Sequence, residues 1–301
     1  MVIDLNLLKE EDRVVISRIS ERGRAWIVGG WVRDSLSGII PNELDLATTL
    51  APREVQAIFP RSIMTGEKFG TTIVRIDDSE NESYQCEVTT LRVDGGYGDG
   101  RRPDNVVFGQ EIESDLARRD FTINAMAVDD AGHLIDPFGG LDDLRKGVLR
   151  TVGSAEERIG EDGLRILRAF RFMGTEGGGI REVDESLIDA ISTNLQMLES
   201  VSKERIWVEL GKILSRENSL RIVESMKDTG VLRVILGGME VNTDVVFSRS
   251  KLVNLALICS DEQVDASELS TILSEQLRLS KKEVGTVSLL HSLRGIEIDH
   301  S

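Results

Sequence analysis

The stretch Gly29-Gly30-Trp31-Val32-Arg33-Asp34, followed by Glu43-Leu44-Asp45, decides how the first half of the chain is read. Ala25–Val28 is a short apolar run that ends at the two glycines, so a strand is expected to pass through a tight turn into a helix over Trp31–Leu36. Such a turn leaves backbone N–H groups free at a helix N-terminus, where phosphate oxygens bind well. Arg33, one turn further on, adds a fork of donors. The alternation of Leu44–Thr49 suggests a strand, and Glu43 and Asp45 are read as two apart on it, Glu43 at its entry, so both carboxylates should project from one face. Paired acids repel unless cations sit between them, which is the demand of a metal-dependent phosphoryl-transfer site. Glu87, on a later predicted strand over Tyr84–Leu91, is a candidate third ligand.

Working outward, residues 5–22 read as an amphipathic helix and Pro52–Phe59 as a helix with Pro in its first turn. Thr71–Ile76 and Tyr84–Leu91 read as strands joined across a polar tip. Asp94-Gly-Gly-Tyr97-Gly-Asp99-Gly-Arg101-Arg102-Pro103 is a Gly-rich loop. Past Val152 the pattern is helical, with apolar residues at three- and four-residue spacing in Ala155–Phe172, Asp184–Leu198, Lys203–Leu214 and Ser219–Thr229. Residues 240–301 are also helix-like and carry no motif.

Composition narrows the function. The 301 residues are 40% hydrophobic with no apolar run long enough to span a bilayer, and the N-terminus lacks a secretory pattern. Two distant cysteines and three histidines argue against a zinc site and fit a reducing, cytoplasmic compartment. A formal charge of −16 argues against a generally basic nucleic-acid binder. The arginines are nonetheless grouped, at 101–102, at Arg118-Arg119 and at Arg165, Arg168 and Arg171. Local groups of this kind bind phosphate on an acidic protein.

These segments, with Glu87-Val-Thr-Thr-Leu-Arg92, Arg118-Arg-Asp120-Phe-Thr-Ile-Asn124-Ala125, Asp136-Pro-Phe-Gly-Gly-Leu141 and Glu161-Asp162-Gly-Leu-Arg165-Ile-Leu-Arg168-Ala-Phe-Arg171-Phe172, occur in one order. Together they resemble the bacterial-type (class II) CCA-adding tRNA nucleotidyltransferases and the related poly(A) polymerases. Ser202-Lys-Glu-Arg-Ile206 with Glu209-Leu210 is similar to that family's next helical motif. The resemblance implies an α/β, polymerase-β-like nucleotidyltransferase head over residues 1–152. It further implies an all-α neck over 153–215 that selects the nucleotide, and a shortened all-α body and tail over 216–301 that contacts tRNA.

It also implies the chemistry: the tRNA 3′ hydroxyl attacks the α-phosphate of CTP or ATP with Mg²⁺, releasing pyrophosphate without a template. Glu43 and Asp45 would hold the metal, with Glu87 completing the acidic set. Gly29, Gly30, Arg33, Arg118, Arg119, Asp120 and Asn124 would serve the triphosphate, as would parts of the series Arg165, Arg168 and Arg171. Asp162 and Arg165 answer the absence of a template. Cytosine and adenine each present an amino donor beside a ring-nitrogen acceptor, so a carboxylate and a guanidinium three residues apart on a helix can accept C and A while leaving U and G unpaired. The bland counterpart is an i,i+3 surface ion pair. Asp94, Tyr97, Asp99, Arg101 and Arg102 match the family's flexible loop, which disfavours addition of CC alone.

The chain departs from the family at three places. Glu43 stands where the family has Asp, one methylene longer. Gly174–Gly179 interrupts a helix that normally continues, so a kink is expected there. Only about sixty residues follow the last motif, so the body is expected to be abbreviated; a homodimer is one way to hold tRNA with fewer helices. Four readings therefore stay open: CCA addition, addition of A to CC-ended tRNA, poly(A) polymerase, and a catalytically weak RNA-binding protein. A poly(A) polymerase would carry a basic C-terminal extension, which this chain lacks.

Overall fold

A computed structural model describes residues 1–66, 70–76, 84–95, 105–259 and 264–293, with backbone alone for 66, 93–95 and 105–107. The described residues up to 154 form one compact unit and those from 155 onward a second.

The first unit is built on a seven-stranded sheet of β1 (Ala25–Val28), β2 (Asp45–Thr48), β3 (Ile63–Gly66), β4 (Thr71–Val74), β5 (Cys86–Thr90), β8 (Ala127–Val128) and β9 (Leu134–Ile135), in the order β3-β4-β5-β2-β1-β8-β9. Strand β2 runs parallel to β5 and antiparallel to β1. A separate antiparallel ribbon pairs β6 (Arg92–Gly95) with β7 (Asn105–Phe108). Strand β1 is buried along its whole length because both sheet faces are covered. Ala25 and Ile27 join Val15, Ile19, Leu46 and Val55 in one core. Trp26 and Val28 join Ala47, Leu91, Leu116 and Ala125 in another. Strand alternation therefore assigns Leu46 to the first core and turns Asp45 and Ala47 toward the second.

The helices of this unit are α1 (Glu10–Ser20), α2 (Gly30–Leu36), α3 (Pro52–Ile58), α4 (Ile112–Ala117) and α5 (Gly140–Lys146). The expected helix over 5–22 is divided. Leu5–Leu7 is a 3-10 turn whose start is capped by Asp4, and α1 begins only after Lys9, whose N–H donates to Asp12 Oδ2 at 2.9 Å. Apolar spacing is blind to this division, because Leu5, Leu8 and Val15 all reach the same core.

The second unit holds α6 (Ala155–Glu161), α7 (Leu164–Met173), α8 (Glu185–Thr193), α9 (Lys203–Leu214), α10 (Ser219–Asp228), α11 (Val231–Ile235), α12 (Lys251–Ile258), α13 (Ala266–Gln276) and α14 (Lys281–Ser292). The single helix expected over Ala155–Phe172 is two, broken at Asp162-Gly163. Asp162 Oδ1 accepts the Leu164 N–H at 3.0 Å, offering the backbone a partner outside the helix ladder. Helix α7 stops at Met173, where the glycine run begins. There Thr175 N–H donates to the Gly179 carbonyl at 2.8 Å and Arg181 N–H to the Met173 carbonyl at 2.7 Å, closing a tight loop with Gly177 and Gly178 at positive φ. The Arg181 guanidinium, buried, donates to the carbonyls of Phe172 and Gly174 at the helix end. Among the described residues no helix is long and apolar enough to cross a membrane.

Candidate active site

Asp45 opens β2, and its Cα partners in the neighbouring strands are Val28 on β1 and Glu87 on β5. Glu43 does not share the strand as the sequence pattern predicts. It sits in the bend before β2, where the chain leaves Pro41-Asn42. All three carboxylates nevertheless line one cavity of about 380 Å³, together with Lys9, Asp12 and Tyr84. Asp45 feels the crowding most. Its carboxyl is pushed up to about 6, first by burial, then by Glu87 and more weakly by Glu43, while Arg119 and Arg33 act in the opposite direction. Glu87 is also raised, by burial against its strand and by Glu43, with Arg119 opposing.

The arginines come from the segment after α4. Asp115, 1% exposed in its side chain, receives both members of the pair: Arg118 at 2.6 Å and Arg119 at 3.3 Å. Arg119 also donates to the Asn124 carbonyl at 3.3 Å. Asp120 is buried and turned inward, accepting from Phe121 N–H and from Asn124 Nδ2. Asn124 in turn accepts from Arg33 at 2.8 Å, and Arg33 pairs with Asp34 at 2.8 Å. So Asp120 and Asn124 hold Arg33 in place. Asp115 was not singled out in the sequence, although its spacing of three and four residues from the pair is the ordinary helical signal for such contacts.

Gly29 is the close-packed point of this arrangement. Its φ is +68°, and an added Cβ would lie 3.2 Å from Asp45 Oδ2 and 3.4 Å from Arg119 Nη1. Gly30 would meet only the end of Arg33, at 3.6 Å. Gly29→Ala is therefore expected to cost about 1–2 kcal/mol of stability through backbone strain. It should also lower nucleotidyl transfer at least tenfold by parting Asp45 from Arg119, whereas Gly30→Ala should lose less than threefold. Steady-state transfer rates and urea midpoints of the two variants check this.

A divalent ion fits the acids present. Among the described residues no three His, Cys, Asp or Glu side chains form a ready-made metal cage. Mg²⁺ does not ask for one, since it is held by one or two carboxylates with phosphate oxygens and water completing the shell. Glu43, Asp45 and Glu87 line one cavity, and the Asp45 carboxyl there is raised first by burial and then by its acidic neighbours, a crowding that a cation would relieve.

In the second unit Asp162 and Arg165 are not three apart on one helix. Asp162 lies in the break before α7 and Arg165 is the second residue of it. Asp162 Oδ2 faces Arg205 at 3.5 Å, while Arg165 bonds Glu161 and donates to the Arg158 carbonyl at 2.8 Å. Arg168 and Arg171 both lie over the Phe172 ring, at 5.2 Å and 4.4 Å, and Arg171 pairs with the buried Glu209 at 3.2 Å. Glu161 could have been found from its i,i+4 spacing to Arg165. The Asp162–Arg205 contact spans 43 residues and has no local signal. The Asp94 backbone is in β6, whereas Tyr97, Asp99, Arg101 and Arg102 lie outside the described residues.

Comparison with known proteins agrees with this geometry. The profile of the poly(A) polymerase head domain matches residues 25–150, and that of the probable RNA and SrmB-binding site of polymerase A matches residues 182–242. The chain is similar to the CCA-adding enzyme of Geobacillus stearothermophilus, 41% identical over 218 residues, covering 72% of this chain and 52% of that protein. It is 39% identical over 264 residues to the CCA-adding enzyme of Lactococcus lactis subsp. cremoris, covering 83% of this chain and 64% of that one. The chain thus spans about half to two thirds of the length of these curated relatives. Its structure is similar to that of the Bacillus stearothermophilus CCA-adding enzyme solved with CTP, with a TM-score of 0.77 and 32% identity over 96% of this chain and 71% of the other. The first unit is a polymerase-β-like nucleotidyltransferase head and the rest is helical. On these grounds the chain belongs to the family of CCA-adding tRNA nucleotidyltransferases and poly(A) polymerases.

Proposed function

We propose that the chain transfers CMP and AMP from CTP and ATP to the 3′ end of cytoplasmic tRNA, completing or repairing CCA. The observation that carries this reading is the Asp45 carboxyl, crowded by Glu87 and Glu43 on one side and faced by Arg119 across Gly29 on the other. The tRNA 3′ hydroxyl gives up its proton to solvent as its oxygen forms a bond to the α-phosphorus, the bond from that phosphorus to the bridging oxygen of the β-phosphate breaks, and pyrophosphate leaves with the electrons. Mg²⁺, when bound, lowers the pKa of the attacking hydroxyl and offsets charge on the departing pyrophosphate. Glu43 and Asp45 would hold it, and Glu87 would complete the negative wall. Arg119, Arg118 and Arg33 bind the triphosphate and are pre-aimed by Asp115 and Asn124.

Base choice belongs to the second unit. Asp162 accepts the amino group shared by cytosine and adenine, and Arg165 donates to the adjacent ring nitrogen. Arg205 and Glu161 hold these two side chains where the structure shows them. Residues 153–215 act as the nucleotide-selecting neck and 216–301 contact tRNA. The relatives' names favour CCA addition over the A-adding and poly(A) readings.

The test offers each of the four nucleoside triphosphates to the chain with tRNA. The chain is expected to incorporate C and A and to reject U and G. Asp162→Ala should reduce that discrimination by about ten- to a hundredfold, the worth of one unpaired buried polar group. Unchanged preference in the variant would remove Asp162 from base selection, and incorporation of all four by the unaltered chain would contradict the reading as a whole.

A further inference from the structure

The bend that carries Glu43 lies outside the strand ladder, because the register of β2 begins at Asp45, and is tied to the core through the buried Leu44. A further bond reaches it from the start of α1. Lys9 Nζ donates to the Asn42 carbonyl, one residue before Glu43, at 3.0 Å. The Lys9 backbone is fixed: its N–H donates to Asp12 Oδ2 at 2.9 Å. Asp12 is 4% exposed, and its other oxygen accepts from Tyr84 Oη at 2.8 Å. Tyr84 stands three residues before Glu87 on the approach to β5. One network thus joins the start of α1, the approach to the strand bearing Glu87, and the bend bearing Glu43, and every member lines the same cavity.

We propose that Lys9, anchored by Asp12 and Tyr84, is a positioning residue that holds Glu43 at the metal-binding carboxylates. This rests on the reading of Glu43 and Asp45 as metal ligands. A Glu reaches further than an Asp and has one more rotatable bond to restrain, so a ligand of this length on an unladdered bend gains more from a fixed carbonyl beside it.

The sign of the effect separates this role from plain electrostatics. An ammonium in an acidic cavity repels a divalent cation, so charge alone predicts that Lys9→Met tightens metal binding. Positioning predicts that it weakens binding. Mn²⁺ affinity is read by electron paramagnetic resonance in the presence of α,β-methylene-ATP, for the unaltered chain, Lys9→Met, Glu43→Gln and the double variant. Lys9→Met is expected to weaken Mn²⁺ binding about three- to fivefold, the scale of one hydrogen bond. In the Glu43→Gln background the same change should produce no weakening, since the residue it positions no longer ligates. Tighter or unchanged binding in Lys9→Met, or equal weakening in both backgrounds, would overturn the inference while leaving the metal reading intact. If Glu43→Gln itself leaves Mn²⁺ affinity unchanged, the ligand assignment falls and this inference with it.

Discussion

Asp45→Asn is expected to reduce nucleotidyl transfer by a thousandfold or more while leaving tRNA binding within about twofold. Asparagine keeps the shape and the place at the head of β2, so the pairing with Val28 and Glu87 should persist. The lost property is charge at the one carboxyl that burial and two neighbouring acids already disfavour. Thermal stability is a second readout. Without Mg²⁺ the variant should melt a few degrees higher than the unaltered chain, because a buried repulsion has been relieved. Added Mg²⁺ with nucleotide should stabilise the unaltered chain and not the variant. A variant that melts lower and loses tRNA binding would make Asp45 a structural residue instead.

Gly163→Ala should be the most damaging single methyl in the second unit. A Cβ there would lie 2.2 Å from the Met197 carbonyl oxygen and 2.6 Å from its carbon, both backbone atoms that cannot swing aside. Gly163 has φ of −57°, which suits any residue, so the whole effect is close approach between two backbones. Overpacking of this kind costs about 2–3 kcal/mol, and the melting transition of the unit should fall by about 5–10 °C. Because Asp162 and Arg165 flank this glycine, the discrimination of C and A from U and G should loosen as well. Gly160 is the control. It lies in α6 with nothing within 4 Å of an added Cβ, so Gly160→Ala should be neutral or stabilise by up to about 1 kcal/mol.

The contrast between these two glycines shows what the sequence could and could not convey. Strand β1 and helix α9 were readable to the residue, since each is a bounded apolar pattern between turn-forming or capping residues. The Gly29–Arg33 and Glu87 placements were readable too, because period-two alternation and ordered motifs carry them. Gly160 and Gly163 look alike in sequence, and only the path of the chain past Met197 tells them apart. For the same reason the break between α6 and α7 was hidden: Ile159, Ile166 and Phe170 keep helical spacing straight through it, all buried. Asp162 was thus assigned to a helix it precedes, and Glu43 to a strand that begins two residues later. Long-range partners such as Arg205 for Asp162 and Glu209 for Arg171 leave no trace in local spacing. Asp115 did leave one, at helical distance from both arginines, and its burial explains why two adjacent cations can be held side by side.

The most direct test of the account is single-turnover extension of three tRNA transcripts, ending before CCA, after the first C and after CC, each offered CTP and ATP together. All three are expected to be extended and to stop at CCA. Extension of the CC-ended transcript alone, or continued addition of A beyond the last position, would contradict it.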